Sequence, residues 1–230
     1  MQIEFQRKPF RHASASQFTT FSPDYGGCNM LWFWEKVAGF RGPQTEPMIR
    51  GIAGHWINEQ YLLHDRLPSL EVAEEAQRMF GFTTEPAAVL RMVQAGVPYL
   101  PVPKIDPLQV ERGFRLTHND WPVEVVGFLD LLHPAGHVLD YKFKSDTRWA
   151  HNDLQLGSDL QGRLYSLVAP ALWAESTLER IWAAPDGSGG REVTPLHEPE
   201  AQPQRFEHLT YGLANHAAVV SGYTFQPAEL

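Results

Sequence analysis

One turn sequence constrains the fold of this chain more than any other feature does. Residues 133–137 read His-Pro-Ala-Gly-His and lie between two stretches rich in apolar residues, 123–133 and 137–144. Proline and glycine are typical of turns, and a three-residue loop that ends with Gly136 in the left-handed conformation joins antiparallel strands. The segment therefore predicts a β-hairpin and fixes the register of its two strands.

That register brings two aspartates together. If His133 faces His137, the residues three positions farther from the turn on each strand, Asp130 and Asp140, also face each other. Lys142, two residues after Asp140, shares their face. Two opposed carboxylates repel one another unless a cation lies between them, which favours a divalent metal ion. A metal beside a lysine suits hydrolysis of a phosphodiester, because both stabilise the charge that develops on the phosphate. The alternative is a strand pair with exposed charges, in which a one-residue change of register would scatter the set.

Hydrophobic periodicity along the rest of the chain predicts an α/β fold. The predicted helices cover 14–21, 28–37, 47–64, 70–80, 86–95, 154–173 and 203–221. The predicted strands cover 108–117, 123–133, 137–144, 178–184 and 191–196, with an extended connector at 97–107 and a turn at 185–190. This order predicts an N-terminal helical part, 1–107, and a core of sheet and flanking helices, 108–230, which together form one compact unit.

Two of the predicted helices carry polar side chains at helical spacing. Gly51, His55 and Glu59 are four residues apart and share one face, where the imidazole of His55 suits a metal ion and Gly51 lets another backbone approach. Gln161 and Tyr165 are also four residues apart. The alternative for each helix is purely structural, with a histidine that only packs and a polar helix edge.

Taken in order, four short motifs resemble those of the PD-(D/E)XK nuclease superfamily, in its RecB-like and CRISPR-associated exonuclease-like branch. The motifs are Gly51-x-x-x-His55, Gly127-x-x-Asp130, Asp140-x-Lys142 and Gln161-x-x-x-Tyr165. The resemblance covers residues 14–221. It implies a restriction-endonuclease-like core, in which helices flank a central mixed β-sheet, with an N-terminal helical part.

The resemblance also implies a deoxyribonuclease that depends on Mg²⁺ or Mn²⁺. The implied metal ligands are His55, Asp130, Asp140 and the backbone carbonyl of Tyr141. The other implied catalytic residues are Lys142, which would position the attacking water or stabilise the transition state, Gln161 and Tyr165, which would contact DNA or support the site, and Glu111, an acidic position on the preceding strand. Mn²⁺ accepts a histidine nitrogen together with carboxylate oxygens, whereas Mg²⁺ prefers ligands that are all oxygen atoms.

The cysteine content distinguishes this chain from members of that branch that hold a four-cysteine iron–sulfur cluster. Cys28 matches the first ligand of that cluster and is the sole cysteine among 230 residues. The chain therefore cannot form the cluster by itself. The sequence also has no Walker motif, so we expect a stand-alone nuclease domain or a subunit that works with a separate motor.

The net charge of −8 argues against a protein that coats nucleic acid through bulk positive charge, but locally basic residues still permit a DNA substrate. The expected phosphate contacts are Arg50, Lys144, Arg148 and Arg163. The acidic C-terminal part suits a protein partner such as a helicase or a recombinase. Because the sequence shows neither a signal-like N-terminus nor an apolar run of membrane-spanning length, we expect a cytoplasmic protein that does not enter membranes.

The expected function is an exonuclease that acts on DNA ends or single strands in DNA repair, recombination or phage replication. The alternative is a catalytically weak or inactive nuclease fold that serves as a DNA-binding or assembly module of a larger complex. The intact Asp130, Asp140 and Lys142 count against that alternative. A zinc hydrolase is disfavoured, because the sequence lacks an HExxH motif.

Overall fold

The computed structural model describes residues 12–40, 42–103, 108–117, 119–133, 137–182 and 202–230. Within these residues the α-helices are α1 (Ala15–Phe21), α2 (Asn29–Trp32), α3 (Glu46–His64), α4 (Leu70–Phe80), α5 (Pro86–Gln94), α6 (Asp153–Gly157) and α7 (Leu160–Trp182). The strands are β1 (His12–Ala13), β2 (Gln109–Leu116), β3 (Glu124–His133), β4 (His137–Lys144), β5 (Gln204–Gly212) and β6 (Ala217–Phe225). A π-helical turn, Phe33–Val37, continues α2.

The five helices predicted before residue 96 and the three strands predicted over 108–144 are confirmed to within one residue at their ends. Local signals explain this agreement. The side chain of Ser69 caps α4 by accepting a hydrogen bond from the Val72 amide, and Gly81 ends that helix with a φ of 76°. Pro86 begins α5, where its missing amide hydrogen costs nothing.

The helix predicted over 203–221 is wrong, because this segment forms β5 and β6. Phe206, Leu209 and Leu213 follow a helical period of three to four residues, which favoured the helix. The same stretch also alternates with a period of two, and Leu209 and Tyr211 lie together on one face of the sheet. Pairing with β4 on one side and β6 on the other decides between the two periods.

The strand predicted over 178–184 is also wrong, since α7 continues as far as Trp182. The single helix predicted over 154–173 is instead two helices, α6 and α7, separated at residues 158–159. The predicted turn at 185–190 and the predicted strand at 191–196 lie outside the described residues.

The strands form a six-stranded mixed sheet in the order β1-β3-β4-β5-β6, with β2 also paired to β3. Parallel pairs join β1 to β3 and β4 to β5, whereas β3–β4 and β5–β6 are antiparallel hairpins. Parallel neighbours need a crossover connection, and the segment that contains α6 and α7 links β4 to β5. Helices flank this sheet, so the predicted α/β class is confirmed.

The chain divides into two compact units, one of Met1–Thr45 and Gly113–Phe128 and the other of Glu46–Arg112 and Leu129–Leu230. In the first unit, α1 and α2 pack through an edge contact between Phe21 and Trp32, with ring centroids 5.2 Å apart. All of the predicted catalytic and metal-binding residues belong to the second unit. The sequence-based boundary at residue 107 stays a prediction.

The second unit has helices on both faces of its sheet. On one face, α3, α4 and α5 cover a core that includes Leu131, Leu139 and Tyr141. On the other face, α7 packs on β4 and β5, where Tyr165 makes an edge contact with Phe206 at a centroid distance of 6.4 Å. Because side chains alternate along β4, Asp140 and Lys142 point toward α7, whereas Leu139, Tyr141 and Phe143 point toward α3.

Candidate active site

A glycine on α3 lets this helix lie close to the sheet, and the close packing places His55 beside β4. A Cβ atom on Gly54 would overlap the ring of Phe143 on β4. The ring centroids of Phe143 and His55 are 5.3 Å apart. Gly51, to which the sequence analysis assigned the close approach, instead has open space where a Cβ would lie. That assignment is therefore wrong, and the close approach depends on Gly54.

The β3–β4 hairpin has the predicted register, with His133 facing His137 and Leu131 facing Leu139. Beyond that pair, the Oδ2 atom of Asp130 accepts a hydrogen bond of 2.6 Å from the backbone amide of Tyr141. A side chain thus takes the place of a strand carbonyl as acceptor. This bond fixes one oxygen of Asp130 and leaves the other free to face α3.

Three side chains from three different elements converge at this point. The Nδ1 atom of His55 on α3 lies 3.5 Å from Oδ1 of Asp130 on β3 and 3.9 Å from Oε1 of Glu111 on β2. The ligand atoms of all three residues lie within 4.8 Å of one another. One imidazole nitrogen and two carboxylate oxygens form a donor set that suits Mn²⁺ and similar divalent ions. This group can hold a metal ion, and it contains Glu111 together with the predicted ligands His55 and Asp130.

Glu111 has an unusual backbone conformation for a residue within a strand. Its φ angle is +51°, in the left-handed region that residues with a side chain seldom adopt. Such a conformation costs on the order of 1–3 kcal/mol and persists only where the surrounding structure imposes it. The strain therefore marks Glu111 as a residue held in place by its surroundings at the point where the three side chains meet.

The electrostatic setting of this group disfavours its negative charges. Burial raises the pKa of Glu111 to about 7, and the neighbouring charge of Asp130 adds to the shift. Burial lowers the pKa of His55, but Asp130, Asp140 and Glu111 outweigh that effect and the net shift is upward. Protons and metal ions both relieve such a concentration of carboxylates. This electrostatic setting therefore suits a bound cation.

Asp140 forms an ion pair with Lys142 beside this group. Asp140 is 2% exposed, and the Nζ atom of Lys142 lies 2.5 Å from its Oδ2 atom. Burial raises the pKa of Asp140 to about 6, and Lys142 opposes the shift. Burial also lowers the pKa of Lys142, but the charge of Asp140 outweighs it and the net shift is upward. Lys142 is therefore an ammonium ion at neutral pH.

Gln161, in the first turn of α7, is hydrogen-bonded to both members of this ion pair. Its Oε1 atom accepts a hydrogen bond of 3.0 Å from Lys142, and its Nε2 atom donates to Oδ1 of Asp140 at 3.0 Å. The same amide donates to the Tyr165 hydroxyl at 2.9 Å. The two residues that the sequence paired on a helix face thus form one connected network with Asp140 and Lys142.

The side chain of Tyr141 points away from this network. It is 2% exposed in the core beneath α3, and its ring centroid lies 5.7 Å from that of His55. The predicted metal ligand is its backbone carbonyl, and that role stays a prediction.

His208 on β5 is a buried polar residue at the site that the sequence analysis did not identify. It is 1% exposed, and its Nε2 atom lies 3.6 Å from Oδ2 of Asp140. A helix was predicted over 203–221, and only a strand in that segment places His208 beside β4. Its alternation with Phe206 and Thr210 was the signal available in the sequence.

The predicted phosphate contacts lie in different environments. Arg50 is 7% exposed and donates to the Thr84 hydroxyl at 3.4 Å, so it is part of the packing between α3 and the segment after α4. The side chain of Arg148 is 74% exposed, and its guanidinium lies over the ring of Trp149 at 5.5 Å. Arg163 is also exposed and donates to a backbone carbonyl at 3.2 Å. Lys144 is partly exposed.

Comparison with known proteins gives no family assignment. No protein-family model matches the chain, and no curated protein matches it. Among the described residues, no helix combines the length and the apolar character that a membrane span requires.

Proposed function

We propose that this chain is a metal-dependent deoxyribonuclease, most specifically an exonuclease that hydrolyses phosphodiester bonds at DNA ends or in single strands. The observation that carries this proposal is the juxtaposition of two groups. The possible metal-binding group of His55, Glu111 and Asp130 adjoins the ion pair of Asp140 and Lys142. The order of these residues along the chain is also that of the nuclease motifs they resemble.

The donor set supports a divalent metal ion at this place. His55, Glu111 and Asp130 offer one nitrogen and at least two oxygens. Burial and, next, the charge of Asp130 raise the pKa of Glu111, and a bound cation would relieve both effects. A bound Mg²⁺ or Mn²⁺ ion would supply Lewis acidity toward the phosphate and would lower the pKa of a bound water. Four cysteines for an iron–sulfur cluster are absent from the sequence, which has only Cys28.

The protein groups around the metal-binding group have distinct parts in the proposed reaction. Lys142 is protonated, so it serves as a cation toward the phosphate and as a hydrogen-bond donor to a water, not as the general base. Asp140 anchors the Lys142 ammonium, and Gln161 fixes both by bonding to each. The preorganisation of this charge before substrate binds is what lowers the barrier in such a site.

Exposed basic residues in the second unit support a nucleic-acid substrate. Arg148 and Arg163 are exposed, and Trp149 beside Arg148 is 60% exposed. Guanidinium groups bind phosphates, and exposed aromatic rings stack with unpaired bases. Arg50 is excluded from this surface by its burial, so the proposed phosphate contacts are Lys144, Arg148 and Arg163.

The test is degradation of end-labelled linear and closed circular DNA, single- and double-stranded, and of a matched RNA, with Mn²⁺, Mg²⁺ or EDTA. We expect metal-dependent loss of linear DNA with circles left intact. The Lys142→Ala and Asp130→Ala variants should lose about 100-fold or more in rate. Lys36→Ala serves as the control, because Lys36 lies in the first unit and should retain wild-type activity.

Other outcomes would change the conclusion in defined ways. Cutting of closed circles would make the protein an endonuclease. Degradation of RNA alone would change the substrate. If the wild type retards DNA in a gel and degrades nothing with any metal, the DNA-binding or assembly module of a larger complex replaces the nuclease.

A further inference from the structure

The buried histidine on β5 lies next to the ion pair of the proposed site. In the parallel pairing of β4 and β5, His208 is the direct partner of Asp140. Its ring lies between two other rings, with centroid distances of 5.1 Å to Phe206 and 5.4 Å to His151. The side chain is 2% exposed. The ring is therefore fixed in orientation by its neighbours.

The Nε2 atom of His208 faces two carboxylates at once. It lies 3.6 Å from Oδ2 of Asp140 and 3.7 Å from Oδ2 of Asp159. Asp159 in turn accepts hydrogen bonds from the backbone amides of Gln161 at 3.2 Å and Gly162 at 3.3 Å. Asp159 thus caps the first turn of α7, which is the turn that carries the Gln161 side chain to Asp140.

The ring must carry its proton on the nitrogen that faces these carboxylates. The Nε2 atom is buried and, among the residues that the structure describes, has no other polar partner within hydrogen-bond distance. A neutral imidazole has one N–H and one lone pair, and a lone pair directed at two carboxylates would be repelled by both. The geometry therefore assigns the hydrogen to Nε2.

We propose that His208 is a positioning residue of the proposed nuclease site, whose N–H is directed between Asp140 and Asp159 and holds both carboxylates in place. This inference rests on the proposed function. His208 is not a member of the possible metal-binding group of His55, Glu111 and Asp130. It acts through Asp140, which anchors Lys142, and through the cap of α7, which places Gln161. Outer partners of this kind change activity by about 10- to 100-fold when removed.

The kinetic test compares two substitutions at this position. His208→Leu removes the N–H and should lower kcat by about 10- to 100-fold with little change in KM for DNA. His208→Gln places an amide N–H near the position of Nε2 and should restore most of kcat. Thr210→Val is the matched control, because Thr210 is the next buried polar residue on the same face of β5. We expect its kcat to equal that of the wild type.

A double substitution separates positioning from packing. If His208 holds two repelling carboxylates in place, removal of one charge should compensate for its loss. The variant that combines His208→Leu with Asp159→Asn should therefore be more active than His208→Leu alone. Equal loss in His208→Leu and His208→Gln, or no recovery in the double variant, would overturn the proposal. The proposal would also be overturned if kcat fell in proportion to the unfolding temperature, and did so alike in His208→Leu and Thr210→Val.

A spectroscopic readout makes the inference independent of activity. The ¹⁵N chemical shifts of the imidazole identify which nitrogen carries a hydrogen, and we expect a hydrogen on Nε2. Protonation at Nδ1 instead would overturn the role of His208 whether or not the protein degrades DNA. The Nε2 form together with an inactive wild type would overturn the proposed nuclease function and leave the geometry around His208 intact.

Discussion

At the scale of single residues, Glu111 combines a strained backbone with a carboxyl group that resists ionisation. Its φ angle is +51°, and its pKa is about 7. Both properties oppose the stability of the metal-free fold. Both occur at the point where the carboxyl group of Glu111 lies beside Asp130 and His55. A residue that costs stability in this way is typical of a site shaped for a ligand.

We predict that the metal-free protein loses stability as pH rises from about 4.5 to above 7, because Glu111, Asp140 and His55 together outweigh the opposite effect of His208 below pH 6.5. Between 4.5 and about 7, folded Glu111 keeps a proton that the unfolded chain releases, so the free energy of unfolding falls as pH increases. Asp140 acts with the same sign from 3.8 to about 6, and the raised pKa of His55 adds to it. A divalent ion should reverse the trend, because ligands bind metal in their deprotonated forms.

The measurement is the unfolding temperature in EDTA and in Mn²⁺ at several pH values. Glu111→Gln should flatten the profile in EDTA and reduce the shift caused by Mn²⁺. Glu75→Gln is the control, because Glu75 lies in a surface ion pair with Arg66 that lowers its pKa. A metal-free profile that rises steadily over this range would contradict the assignment.

At the scale of elements, the site depends on how closely α3 lies against β4. Gly54 faces the ring of Phe143, which stacks on the ring of Tyr211 with centroids 4.6 Å apart. The Gly54→Ala substitution should therefore push the helix and its histidine away from β3. We expect a loss of about 1–3 kcal/mol in the free energy of unfolding, together with weaker Mn²⁺ binding.

Gly51→Ala provides a control on the same helix. Gly51 has open space where the added methyl group would lie. Alanine is favoured over glycine inside helices by roughly 0.5–1 kcal/mol, so this variant should be slightly more stable than the wild type. Chemical denaturation and calorimetric Mn²⁺ titration of both variants test the pair. Equal effects of the two substitutions would show that the helix approach does not depend on Gly54.

The same scale shows which parts of the fold the sequence could predict. The turn at 133–137 determines the pairing of β3 and β4 locally, so the positions of Asp130 and Asp140 followed from it. Nothing local decides between helix and strand over 203–221, because that choice depends on pairing with β4, some sixty residues earlier in the chain.

The sequence predicted most residues of the candidate site but not the contacts that hold them. His55, Asp130, Asp140, Lys142 and Gln161 followed from spacing and resemblance, and they are neighbours in the structure. The left-handed backbone of Glu111 and the burial of His208 could not be predicted, since each depends on contacts between segments distant in sequence.

At the scale of the whole molecule, β4 and β5 should be the last elements to open. Each is hydrogen-bonded to a strand on both sides, and helices cover both of their faces. By contrast, α1 and α2 in the first unit are short and carry exposed large apolar residues. Local opening costs least where few buried contacts hold an element.

Hydrogen exchange followed by mass spectrometry tests this order. We expect amides of 139–143 and 206–211 to exchange most slowly and those of 15–21 most quickly among the helices. Equal protection in α1 and β4 would contradict it.

The long path between β4 and its partner has a consequence for the newly made protein. A buried hydrogen bond joins Asn58 to Tyr211, 153 positions apart, and β4 lacks one neighbour until β5 has been synthesised. Ribosomes add about 5–20 residues per second, so both aspartates and Lys142 leave the ribosome seconds before the strand that holds them. We therefore expect a chain that ends before residue 204 to carry these residues on a β4 strand with one edge unpaired, and to lack the proposed activity for that reason.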